Sequence, residues 1–172
     1  SHDVTVDGTG HTIIISGDSN NDGTADVQPF HVDAGVPAAL SNLTVTKGQS
    51  AGNGGGIQNA GTLTLNNVTV SNNRAANYAW GGGIYNSGTL TVMSSTFLSN
   101  NGYYGAGIYN DDNATLEVTN STFSGNWGRA GGGITNDTGA TLTLTHSTLS
   151  GNSVDTANQG GAIHNRGVLV SN

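Results

Sequence analysis

Large apolar residues recur two apart along most of the chain: Leu63 and Leu65, Leu90 and Val92, Leu116 and Val118, Leu142 and Leu144, with threonines between and beside them. A period of two is a strand with one face turned inward, and no stretch carries the 3.6-residue period of a helix. At the start, Val4 and Val6, then Ile13 and Ile15, alternate in the same way around a Gly-rich turn. The pattern then repeats as a unit: GGGIQNAGTLTL from Gly54, GGGIYNSGTLTV from Gly81, GAGIYNDDNATLEV from Gly105, GGGITNDTGATLTL from Gly131 and GGAIHNRGVLV from Gly160, 24 to 29 residues apart. A variable spacing in that range fits neither heptads nor the 33- and 34-residue helical repeats.

Laid over one another, the units align in columns. Phe30 falls with Ile57, Ile84, Ile108, Ile134 and Ile163; Leu40 with Leu65, Val92, Val118 and Leu144; Val45 with Val70, Phe97, Phe123 and Leu149. The polar residues align too. Asn59, Asn86, Asn110, Asn136 and Asn165 follow the first column by two, and Asn73, Asn100, Asn126 and Asn152 follow the third by three. Stacked identical amides can hydrogen-bond from one repeat to the next, and asparagine also tolerates left-handed turn geometry. The Gly triplets supply positive φ or close backbone approach where the chain must bend. Thr44, Thr69, Thr96, Thr122 and Thr148 form an outward row. The expected fold is therefore all-β: a right-handed parallel β-helix, or β-solenoid, with three short strands per coil and about six coils. At the usual ~4.8 Å between strands it is a rod roughly 30 Å long. No coil buries its apolar face alone, so stability comes from stacking.

Composition narrows the function. Glycine numbers 28, and only 9% of residues are charged, a balance that suggests low-complexity disorder until the regular apolar columns are seen. Eleven acids against Lys47, Arg74, Arg129 and Arg166 give a net charge of −7, which argues against a nucleic-acid partner. No cysteine is present, so disulfides and thiolate metal sites are excluded. No apolar run reaches the roughly 18 residues of a spanning helix, so direct membrane insertion by this segment is not expected. The chain begins and ends in repeat-like text, and residues 1–172 read as a single β-helix segment of a longer protein.

GGGIYNSGTLTV followed by STFLSNN, and GGGITNDTGATLTL followed by STLSGN, resemble the GG(A/G)IxN repeat of the polymorphic outer-membrane proteins and of large secreted bacterial proteins. The resemblance covers nearly the whole chain. It implies a right-handed parallel β-helix in an extracellular, secreted or cell-surface setting, with stalk-like or adhesive roles, and it carries over no catalytic residue.

Two groups of residues carry candidate chemistry. Asp18, Asn20, Asp22, Thr24 and Asp26, with Gly23 at the sixth place, reproduce the first part of an EF-hand-like loop: oxygen donors at positions 1, 3, 5 and 9 and a carbonyl at 7. The twelfth position is Pro29 rather than a bidentate Glu, with Asp33 a possible further donor. A structural Ca²⁺ is expected in this insertion, 18–26, in the first coils. The second group is aromatic. Tyr78, Trp80, Tyr85, Tyr103, Tyr104, Tyr109 and Trp127 gather near one corner, where rings can stack on each other or offer a platform to a sugar or a protein.

Alternatives are polysaccharide binding or degradation and, further off, ice binding through the rows Thr62 and Thr64, Thr89 and Thr91, Thr141 and Thr143, broken by Glu117. For an enzyme, clustered carboxylates are needed; Asp111, Asp112, Glu117, Asp137 and Asp155 read as dispersed, and the five histidines occupy non-equivalent positions. Sequons occur at Asn42, Asn67, Asn113, Asn120 and Asn136, three of them at one coil position. The best reading is a non-catalytic rigid stalk or adhesin segment with a surface glycan or protein as partner. Open end coils also favour end-to-end self-association.

Overall fold

The computed structural model describes residues 3–155 and 159–171. The chain winds as an all-β, right-handed parallel solenoid of about six coils, and every strand pair is parallel. Three sheets run along the axis. One stacks Phe30–Val32, Ile57–Asn59, Ile84–Asn86, Ile108–Asn110, Ile134–Asn136 and Ile163–Asn165. The widest contains Pro37–Thr46 and Thr62–Ser71, continued in later coils by pairs such as Thr89–Met93 and Thr96–Leu98. The third, five-stranded, includes Asn101–Tyr104 and Trp127–Ala130.

The columns read from the sequence are the observed registers. Ile84 pairs Ile57 and Ile108, Val92 pairs Leu65 and Val118, and Phe97 pairs Val70 and Phe123. Their side chains fill a core in which Ile84, Val92, Phe97 and Phe123 are fully buried. Phe97 and Phe123 stack with centroids 4.5 Å apart and planes 4° from parallel. Parallel pairing without register shift places like on like, so each coil's shape is set by its neighbours.

Both amide ladders are present. Asn59 Nδ2 donates to Asn86 Oδ1 at 2.7 Å, Asn86 to Asn110 at 2.7 Å and Asn110 to Asn136 at 2.8 Å. In the second, Asn73 donates to Asn100 and Asn100 to Asn126, each at 3.0 Å, and Asn126 to Asn152 at 2.8 Å. Left-handed geometry is not what selects these asparagines: the positive φ angles lie elsewhere. One such column is Asn42, Asn67, Ser94, Asn120 and His146, with φ between 47° and 56°. It bends the widest side of the coil and accounts for three sequons sharing one position. A second is the first glycine of each triplet, as at Gly81 (φ 68°), where an added Cβ would lie 2.4 Å from the Ile84 carbonyl oxygen.

Candidate functional site: an aromatic corner and its groove

The outward positions of the Phe30/Ile sheet run Gln58, Tyr85, Tyr109, Thr135 and His164 in register. Hydrogen bonds join the residues just before the Gly triplets in another column, Trp80 O accepting from Gly54 N, Tyr104 O from Gly81 N, Ala130 O from Gly105 N and Gln159 O from Gly131 N. Between the two columns, six of the seven aromatic residues named from the sequence form one connected cluster. Tyr78 meets Tyr103 edge-on at 5.2 Å, Tyr103 meets Tyr104 at 4.8 Å, and Trp80 lies 6.3 Å from Tyr104. Trp80 also stacks on Tyr109 at 4.9 Å, and Tyr109 on Tyr85 at 5.8 Å with planes 6° apart.

Exposure divides their roles. Tyr109, grouped with the contact residues in the sequence reading, is 2% exposed, covered by its neighbours, and serves as support. Tyr78 is 77% exposed and holds a left-handed φ of 65°, a conformation that costs a residue with a Cβ about 1–2 kcal/mol. Trp127, half exposed, lines a second concavity with Tyr78, Tyr103, Arg74 and Arg129. The Arg129 guanidinium lies 5.1 Å from the Tyr103 ring centre and donates to its hydroxyl.

A groove beside Trp80 exists because the aromatic columns stop. After Tyr104 and Tyr109, the next coil carries Ala130 and Thr135 at the same positions. The step down opens a cavity of about 320 Å³, walled by Trp80, Tyr104 and Tyr109 on one side and Gln159, His164 and Arg166 on the other, with Thr135 and Asp137 between. That volume is at the small end for ligand pockets, roughly 300–1,000 Å³.

Two of its charged groups, Asp137 and Arg166, belong to a column the sequence reading missed. Ser87, Asp111, Asp137 and Arg166 each immediately follow a ladder asparagine, and the main-chain N–H of each donates to the ladder carbonyl of the coil before. Reading the residue after each aligned Asn would have found them. Tyr85 donates its hydroxyl to Asp111 Oδ2 and Tyr109 to Asp137 Oδ2. Asp137 Oδ1 accepts from the Thr138 amide at 2.8 Å and from Arg166 at 3.3 Å. Burial followed by the carboxylate bonds pushes both phenols well above their ordinary pKa, so at neutral pH they remain donors. For Asp137, burial would raise the pKa, but the Tyr109 hydroxyl, the Thr138 bonds and the Arg166 charge outweigh it and hold the carboxyl below its usual value.

The remaining candidates are placed as follows. The threonine rows are in register, with Glu117 standing between Thr91 and Thr143; Pro37 and Ala39 precede them and Val168 and Val170 follow. In the loop from Asp18 to Asp26, Asp22 bonds to Asn20 and Thr24, and Asp26 to Ser19. Among the described residues no three carboxylate or imidazole groups already converge as a metal centre, and no helix is long and apolar enough to cross a membrane. His2 lies outside the described residues.

Register, buried amide ladders and coil-by-coil stacking define a right-handed β-helix of the solenoid class. Residues 2–172 match the family described as right handed beta helix region, and the chain belongs to it. Comparison with curated proteins and with solved structures finds no match.

Proposed function

We propose that this solenoid is a non-catalytic, rigid segment of a bacterial surface or secreted protein that presents its aromatic corner to a glycan. The carrying observation is the groove beside Trp80 and Tyr104, which aromatic rings line together with Asp137, His164 and Arg166. A sugar ring offers an apolar C–H face and a rim of hydroxyls, and this pairing of ring surface with a few convergent polar groups suits both. Asp137, kept ionised by Tyr109, Thr138 and Arg166, is an acceptor for hydroxyls rather than an acid with a proton to give. That favours binding over cleavage. The stacked core and ladders supply the stiffness a stalk or adhesin needs, and the repeat's resemblance to the polymorphic outer-membrane proteins supports an extracellular setting.

The test is a panel of glycans and extracellular-matrix proteins probed with wild type and with Trp80→Ala/Tyr104→Ala. A glycan subset retained by wild type and lost by the variant is expected. Retention of matrix proteins alone would replace the glycan with a protein partner. Identical profiles would make the rings packing elements and leave the rod a spacer.

A further inference from the structure

The connection between Ile13–Ser16 and Phe30–Val32 takes no part in the aromatic corner, yet it contains a buried carboxylate. The Asp18 side chain is only 3% exposed. Its Oδ2 accepts from the Gly23 amide at 2.9 Å and from Lys47 Nζ at 3.1 Å. Its Oδ1 is buried with no hydrogen-bond partner. Oδ2 thus ties the carboxylate both to the curl of the loop at Gly23 and to the neighbouring coil at Lys47. A buried, partnerless carboxylate oxygen is costly and is the feature a bound cation would satisfy.

We infer that the loop binds one Ca²⁺, anchored by Asp18 Oδ1. Asn20, Asp22 and Asp26 stand at the alternate positions from which side-chain oxygens can converge, and the Thr24 main-chain carbonyl occupies the seventh place. The donor set is carboxylate, amide and carbonyl oxygen, the chemistry of a hard cation, and oxygens drawn from five places along one loop suit the irregular shell of Ca²⁺ better than the strict octahedron of Mg²⁺. In the structure Asn20 Oδ1 accepts from the Asp22 amide at 3.0 Å, Asp22 Oδ1 from the Thr24 amide at 2.8 Å, and Asp26 Oδ2 from the Ser19 amide at 3.1 Å. These bonds are local and solvent-exposed, so the side chains can turn inward at small cost once a cation arrives.

Lys47 is the built-in competitor. Its ammonium neutralises Asp18 and would be displaced by the metal, whose field repels it. Its place in the fold is interchangeable: Thr46 pairs Ser71, so Lys47 corresponds to Asn72 one coil on, and both have positive φ, 53° and 54°. Lys47→Asn therefore removes the charge without disturbing the backbone.

Calorimetric titration of chelator-treated protein with CaCl₂ tests the proposal. With Pro29 in the place of a bidentate Glu, one site per chain with a dissociation constant of about 10⁻⁴–10⁻³ M is expected. Asp22→Asn, a substitution on the surface, should weaken binding about tenfold, Asp18→Asn should abolish it, and Lys47→Asn should tighten it severalfold. No heat from wild type at about 10 mM Ca²⁺ would overturn the proposal. So would an unchanged constant in Asp22→Asn, or weaker binding in Lys47→Asn. The readout uses no glycan, so its failure leaves the groove untouched.

Discussion

Replacing Asn100 by alanine probes the element that makes the coils a single body. Asn100 is 1% exposed. Its Oδ1 accepts from the Asn73 main-chain N–H at 3.1 Å and from Asn73 Nδ2 at 3.0 Å, and its Nδ2 donates to the Val70 carbonyl at 2.9 Å and to Asn126 Oδ1 at 3.0 Å. In Asn100→Ala, Asn73 Nδ2 keeps its bond to Val45 and Asn126 Oδ1 keeps the Asn100 amide, but the Asn73 N–H loses its acceptor. A buried group left without its partner costs about 1–3 kcal/mol, and the vacated amide volume adds to this. A loss of about 3 kcal/mol, at about 2–4 °C per kcal/mol for a chain of this size, lowers Tm by about 6–12 °C. Thermal unfolding by circular dichroism measures it, with Asn165→Ala as the comparison because Asn165 is exposed at the far end of the other ladder. The isosteric Asn100→Asp sharpens the assay, since it puts an acceptor where the Val70 carbonyl and Asn126 Oδ1 need a donor. Its folded-state pKa must then lie above the unfolded value of about 3.9. Stability should therefore return below that pH and be lost as pH rises from it toward the folded pKa. An Asn100→Ala protein that melts with wild type, or no lower than Asn165→Ala, would refute the ladder as a source of stability.

Asp137 gives a test with the opposite sign. Its folded-state pKa is depressed, so its contribution is complete above the unfolded value of about 3.9 and lost as pH falls through the folded pKa; Tm of wild type should exceed that of Asp137→Asn at pH 7 and the gap should narrow as pH falls below the unfolded value. When the 1–172 segment is made on its own, any self-association should run through Val168–Ser171, which pairs Thr141–Thr145 on one side and carries exposed Val168, Leu169 and Val170. Sedimentation coefficients should rise with concentration for wild type and stay flat for Val170→Lys; a rise in both would remove that edge as the contact.

Fold was legible because a parallel solenoid writes its register into the sequence. Phe97 lies on Phe123 and Asn86 on Asn110 without shift, so alignment of the repeats is already a map of contacts. The long-range neighbours in space are the same letters one repeat later. The groove was less legible, since it arises from a break in the repeat: Tyr104 and Tyr109 give way to Ala130 and Thr135, and volume missing from a column is harder to notice than a residue present. Asp111, Asp137 and Arg166 share the place directly after an aligned asparagine, and comparing acids only with acids and arginines only with arginines hides it. Nor could spacing alone tell that Asp18 would turn inward against Lys47 while Asp22 stayed in water, because burial of that loop depends on the neighbouring coil.

The most direct measurement on the aromatic corner uses its own fluorophore. The chain has two tryptophans, and Trp127→Phe leaves Trp80 as the only one. Titrating this single-tryptophan protein with a glycan retained by wild type should give a saturable change in Trp80 emission, weakened in a second protein that also carries Arg166→Ala. Binding of that glycan with no change at Trp80, or with the same affinity after Arg166→Ala, would contradict the placement of the ligand in this groove.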